Sequence, residues 1–248
     1  MKARAATPAE RPAFYALTPG GWRDLVTLLH PPYTAWHLSY VAIGAAIAPT
    51  LHGGRLAAAL AAFFLAVGIA AHALDELRGH PLRTRISDHG LIALAVAGLG
   101  GATAIGAYGA ATISASLIPF TLAGVFLVLA YDLEWFGGRF HTDFWFAAAW
   151  GAFPAATGFW CNALTVTAAG VAATLACFAL STAQRRLSSP VRELRRRTVS
   201  VTGEQRLRDG RVIALDAQRL AAPLDGALSA CALAVTLLAV ALVLLRLG

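Results

Sequence analysis

Apolar residues fall in long blocks along this chain, and the charged residues are confined to the gaps between them. Seven blocks, at 34–50, 55–75, 89–109, 111–131, 144–160, 162–184 and 227–247, are each long enough for a helix across the ~30 Å hydrocarbon layer, which takes roughly 20 residues. Glycines inside them (Gly44, Gly68, Gly98, Gly100, Gly101, Gly106) suit close helix packing. The third and fourth blocks are separated only at Ala107-Tyr108-Gly109, and the fifth and sixth only at Trp160-Cys161-Asn162, which predicts two tight helical hairpins. Ahead of the first block, Trp22, Leu25, Val26 and Leu29 recur at helical spacing and stop at Pro31-Pro32. That pattern predicts a helix lying in the membrane interface. The organisation expected is all-α: an N-terminal segment 1–33, a six-helix core 34–184, a basic loop 185–226 with an amphipathic surface stretch from Arg211 to Leu220, and a last helix in 227–248.

Composition sharpens this picture. Hydrophobic types make up 58% of the 248 residues and charged types 13%, with a mean hydropathy of +0.63. Soluble domains carry about a quarter charged residues, so a soluble enzyme, a disordered chain and a secreted disulfide scaffold are all disfavoured. The net charge of +7 is a topology signal. Lys2, Arg4, Arg11 and Arg23 precede the first block, Arg78, Arg83 and Arg85 follow the second, Arg139 follows the fourth, and ten arginines from Arg185 to Arg219 lie before the last; only Arg55 and Arg246 fall on the other side. The positive-inside rule then predicts a cytoplasmic N-terminus in an integral protein of a bacterial cytoplasmic membrane, without a cleaved signal peptide. The arginines are not interleaved with aromatics, so no nucleic-acid partner is expected, while membrane lipids are. Cys161, Cys177 and Cys231 sit in apolar runs without metal-binding spacing.

All thirteen carboxylates, and every histidine except His52, fall before the first block or on the predicted cytoplasmic side. Polar groups at membrane depth are costly, so such a cluster is read as a site. At the end of the second block, His72, Glu76 and His80 are spaced four apart with Asp75 beside them, which is metal-ligand spacing on a helix face. The alternative there is plain ion pairing of Asp75 and Glu76 with Arg78 and Arg83. Between the fourth and fifth blocks, Asp132, Glu134, His141 and Asp143 occur within a few residues of Tyr131 and Arg139. Carboxylates alone suit Mg or Mn, and added imidazoles suit Fe, Mn or Zn. His37 lies about a turn inside the first block, facing the same end, whereas His30 and His89 read as surface groups. Arg185 and Arg186 close the sixth block, where a guanidinium meets a phosphate well; the arginines beyond them read mainly as topology determinants on anionic headgroups.

The layout resembles the UbiA-type intramembrane prenyltransferase superfamily over residues 30–185: prolines before the first span, an acidic motif closing the second, the basic Pro81-Leu82 loop, a tyrosine closing the fourth, and a Gly/Pro-rich fifth (Gly151, Pro154, Gly158). The resemblance implies a ring of helices around a lipid-open cavity, with Mg holding an isoprenoid diphosphate. The family's first acidic motif falls on His72, Glu76 and His80. Its second is replaced by Ser181, Gln184, Arg185 and Arg186, and two helices are missing, which a homo-oligomer could complete. The resemblance thus implies Asp75, Glu76 and Tyr131 as catalytic groups. Taking the residue chemistry and the resemblance together, His72, Asp75, Glu76, His80, Asp132, Glu134, His141 and Asp143 are the candidate metal ligands, and His37, Arg78, Arg83, Arg85, Arg139 and Arg185 the candidate substrate contacts. Two enzymatic readings follow. One is Mg-dependent chemistry on a lipid-like or prenyl diphosphate substrate. The other is a His/carboxylate Fe, Mn or Zn enzyme that oxidises or hydrolyses a lipid-like substrate. A non-enzymatic membrane protein is the third possibility.

Overall fold

Proline and small polar residues set where the helices begin. Pro31 opens α2 (Pro31–Ile47) at a position where its missing N–H costs nothing. Side-chain oxygens of Ser87, Thr142, Thr167 and Asp216 accept from the backbone N–H of Gly90, Trp145, Gly170 and Arg219, capping the helices that follow them. The computed structural model describes residues 11–248. Its helices are α1 (Trp22–Leu28), α2, α3 (Gly53–Leu77), α4 (Asp88–Thr112), α5 (Ala115–Asp132), α6 (residues 143–163), α7 (Ala168–Arg196) and α8 (Ala217–Leu247), with a short helical turn at Trp135–Gly138. Among the described residues, four helices, α3, α4, α5 and α8, are long and apolar enough to cross a membrane. The expected topology charges Lys2 and Arg4 lie outside the described residues.

Each apolar block has become a helix, but the boundaries move. The hairpin turns fall at Ile113-Ser114 and at 164–167, a few residues beyond the weak points in the sequence, because Ser114 and Thr167 cap the returning helices. The basic stretch expected as a loop continues as helix from Gln184 to Arg196, through Pro190. Arg211 to Leu220 does not form a surface helix. Strands β1 (Gly203–Arg206) and β2 (Val212–Leu215) pair antiparallel instead, Gly203 against Leu215, and α8 starts ten residues before the predicted span. The bundle therefore departs from all-α by one exposed hairpin. Helix α1 forms as expected, exposing Trp22 and Leu25 and burying Asp24, Thr27 and Leu28.

Helix α2 is the hub, packed between α6 and α8, while α3 packs on α4 and α5, and α7 on α6 and α8. Contact between α2 and α6 is backbone to backbone. A Cβ at Gly44 would fall on the Ala155 carbonyl, and one at Gly158 on the Val41 carbonyl, so both positions need glycine. Two helices widen in mid-course, α3 into a π-helical segment at Phe64–Ala71 and α6 at Ala148–Ala152. Such segments turn side chains out of α register and are frequent at functional sites. Here Val67 and Trp150, one from each, reach the space between the helices.

Candidate functional site

The polar end of the bundle encloses a cavity of about 530 Å³, bounded by the ends of α2, α3, α5, α6 and α7 and roofed by Pro12 to Tyr15 of the N-terminal segment. His37, His72, Asp75, Arg78, Tyr131, Asp132, Glu134, His141 and Arg185, all expected from the sequence, line it. Residues separated by more than a hundred positions are thereby brought together.

Helix α3 contributes the floor. Past its π-helical segment, His72 places Nδ1 3.2 Å from the Gly68 carbonyl oxygen. Donation of the N–H to that carbonyl leaves Nε2 as the acceptor. The ring stacks on His30 at 3.9 Å between centroids and 25° between planes. His30 had read as a surface group, but it is buried as the residue before α2, in left-handed conformation, and Tyr15 lies on it at 5.3 Å. Burial, and then the neighbouring His72, Arg196 and Arg192, pull the His30 imidazole well below its ordinary pKa, so the ring is neutral near pH 7. From α2, His37 donates Nε2–H toward the Gln184 amide oxygen at 3.2 Å, tying α2 to α7.

Helix α5 ends at the cavity with Tyr131 and Asp132, both buried. Among the described residues, Tyr131 Oη and Asp132 Oδ2 have no hydrogen-bond partner. His141 folds over Tyr131, its Nδ1 3.0 Å from the Tyr131 carbonyl oxygen and its ring 4.4 Å from the phenol ring. Arg78 closes one side of the mouth, with an ion pair to Glu134 at 2.9 Å and a hydrogen bond to the Asp132 carbonyl at 3.2 Å.

Several expected site residues lie elsewhere. Glu76 is fully buried below the cavity, and its carboxylate accepts from Leu82 N (2.9 Å), Thr84 N (2.9 Å) and Thr84 Oγ1 (2.8 Å), so it fastens the loop after α3. Its oxygens are engaged by that loop, and it is not among the residues lining the cavity. His80 bridges Glu76 and Asp88 in the same loop. Asp143 is exposed and paired with Arg185 at 2.7 Å. Arg83, Arg85 and Arg139 are exposed and do not line the cavity; Arg85 uses its backbone N–H to reach Asp24. Among the described residues, no three of His, Cys, Asp and Glu come together as a metal-holding group.

The residues that sequence reasoning missed are on α7. Gln184, Ser188, Arg192 and Arg196 follow one another at four-residue spacing and form a polar stripe along the cavity wall. The spacing was present in the sequence, but residues 185–226 were expected to form a loop. Arg185 has a carboxylate partner, but among the described residues Arg192 and Arg196 have none. Among the described residues, Arg192 has its hydrogen bond to Ser189 Oγ at 3.4 Å, and Arg196 Nε is buried without a partner. Burial and the adjacent Arg185 charge, with Arg196 beyond, push the Arg192 guanidinium down from its ordinary range.

A second cavity of about 120 Å³ lies deeper, between α3, α4, α5 and α6, lined almost wholly by apolar groups such as Phe63, Leu99, Leu117, Phe120, Val128 and Phe153, with Arg55 and Cys161 at its far end. Val67 and Trp150 line both cavities, so polar and apolar chambers share a wall. Comparison with known proteins adds no identity: no family model matches the chain, and no curated protein or solved structure matches it either.

Proposed function

We propose that this protein is an intramembrane transferase-type enzyme acting on an amphiphile with a phosphorylated head, an isoprenoid diphosphate being the best fit. Its bundle crosses the membrane seven times with the N-terminus cytoplasmic, and the polar cavity opens to the cytoplasmic side. The observation that carries this reading is the pair of guanidinium groups, Arg192 and Arg196, lining a cavity wall without carboxylate partners among the described residues. Both side chains are half-buried, where a charge without an anion partner is costly, and a phosphate supplies that anion with matching geometry. The adjoining apolar cavity suits the chain of the same molecule.

The side chains divide the work. Arg192, Arg196 and Arg185 hold the phosphate oxygens and offset the negative charge that grows on them as they leave. His141 and the Arg78–Glu134 pair shield the mouth from water. The unpartnered Asp132 Oδ2 and the nearby Asp75, whose charge acts on it, are a donor set that fits magnesium. That ion uses one or two carboxylates and completes its shell with substrate phosphate and water. When bound it would neutralise diphosphate charge.

The test is equilibrium binding of an unreactive C15 allylic thiolodiphosphate to the protein in lipid nanodiscs with Mg. The Arg192→Met/Arg196→Met double variant should bind it roughly ten- to a hundredfold more weakly, the loss expected for charged hydrogen bonds. Binding of the corresponding uncharged C15 alcohol should persist. Equal affinity in wild type and double variant, or no binding by wild type, would overturn the reading.

A further inference from the structure

In any amphiphile the carbon that carries the phosphate is where polar head meets apolar chain. In this protein, the polar and apolar cavities meet at a wall made by Val67 and Trp150. Val67 is aliphatic. Trp150 offers a π face, and it is fixed in place: it is 5% exposed, Tyr131 stands edge-on to it at 5.6 Å and 80°, and His37 lies near-parallel at 6.5 Å and 18°. Its helix cannot retreat, because a Cβ at the adjacent Gly151 would already strike the Cys177 carbonyl of α7. The π-helical segment Ala148–Ala152 carries Trp150, which lines both cavities.

We infer that Trp150 is a catalytic residue whose indole face stabilises the positive charge left on the allylic carbon as the phosphate departs. This rests on the function proposed above. The C–O bond breaks heterolytically, and its electron pair leaves on the bridging oxygen of the diphosphate, where the arginines receive the negative charge. The carbon becomes electron-deficient beside the indole, which among side chains is the best π partner for a cation. The cation is consumed when an acceptor's electron pair forms a new bond to the carbon. With water as the acceptor, a C–O bond forms and a proton goes to solvent. No carboxylate lies in the wall shared by the cavities among the described residues, so the indole is the group placed to do this.

The experiment uses the full chain in nanodiscs, a C15 allylic diphosphate for the rate of diphosphate release and its thiolo analogue for affinity. Trp150→Phe, which keeps a π face and most of the volume, should slow release several-fold. Trp150→Leu should slow it by about ten- to a hundredfold, with the Kd of the analogue in both variants within about twofold of wild type. Release by Trp150→Leu at the wild-type rate overturns the inference. So does a loss of analogue affinity that accounts for the lost rate, which would make Trp150 a mere wall for the chain. A wild type that binds no analogue removes the function proposed above and this inference with it. A wild type that binds the analogue but releases no diphosphate overturns the inference alone.

Discussion

Glu76 and Arg192 show how differently two charged residues can be held at one membrane face. Glu76 carries its charge on three hydrogen bonds from one loop, so its burial is compensated within the fold. Arg192 has only a 3.4 Å contact with Ser189 Oγ and no ion pair among the described residues. The distinction was not visible in the sequence, where Glu76 sat at ligand spacing and Arg192 in a run of basic residues; it depends on where a loop folds back and on a helix that continues through a proline. It predicts separable phenotypes. Glu76→Gln turns an amide N–H toward the backbone donors of Leu82 or Thr84 and should cost about 2 kcal/mol of stability, the scale of a buried charged hydrogen bond. A thermal melt should show a fall of several degrees, with affinity for the thiolodiphosphate nearly unchanged. An unchanged melt accompanied by lost affinity would return Glu76 to the binding site.

At the scale of elements, the apolar blocks predicted the helices because each is a continuous apolar run of helical length, and Gly44 was legible as a packing glycine. Two features were not legible. The π-helical segments leave no mark on hydrophobic spacing, yet they bring Val67 and Trp150 to the junction of the two cavities. The reciprocity of Gly44 and Gly158, each facing a carbonyl of the other's helix, emerges only when α2 and α6 are in contact. Gly158→Ala should therefore force α2 and α6 apart, at a cost of about 1–3 kcal/mol for overpacking, and shift the cavity walls with them. The same substitution at Gly100, where nothing lies within 4 Å, should be nearly silent in a thermal melt. Equal melting of the two variants would contradict the close approach.

For the whole molecule, the charge asymmetry and the block pattern gave the expected layout, and the collection of polar residues into one cavity followed from it. His72, Asp75, Tyr131, Asp132 and His141 were foreseeable because apolar sequence on either side left them no other reason to be there. His30, Arg192 and Arg196 were not, since each owes its place to chain geometry outside the spans. The proposed seven crossings make a direct prediction. In a variant lacking Cys161, Cys177 and Cys231, a cysteine at Arg208 in the hairpin should react with an impermeant maleimide only from the cytoplasmic side. One at Val166, between α6 and α7, should react only from the opposite side. Reaction of both from one side would contradict that topology.

Helix α2 takes much of its packing from α8, and Arg246 of α8 reaches the carbonyls of Ala48 and Pro49 just past the end of α2. In order of synthesis these partners are separated by about 170 residues, which a ribosome working at ~5–20 residues per second takes roughly ten to thirty seconds to add. Over that interval Trp36, Tyr40 and Ile43, all buried in the finished bundle, await the helix that covers them. The nascent bundle therefore carries an uncovered face on α2 until α8 arrives, whereas the apolar cavity, bounded by α3, α4, α5 and α6, has all its walls before then.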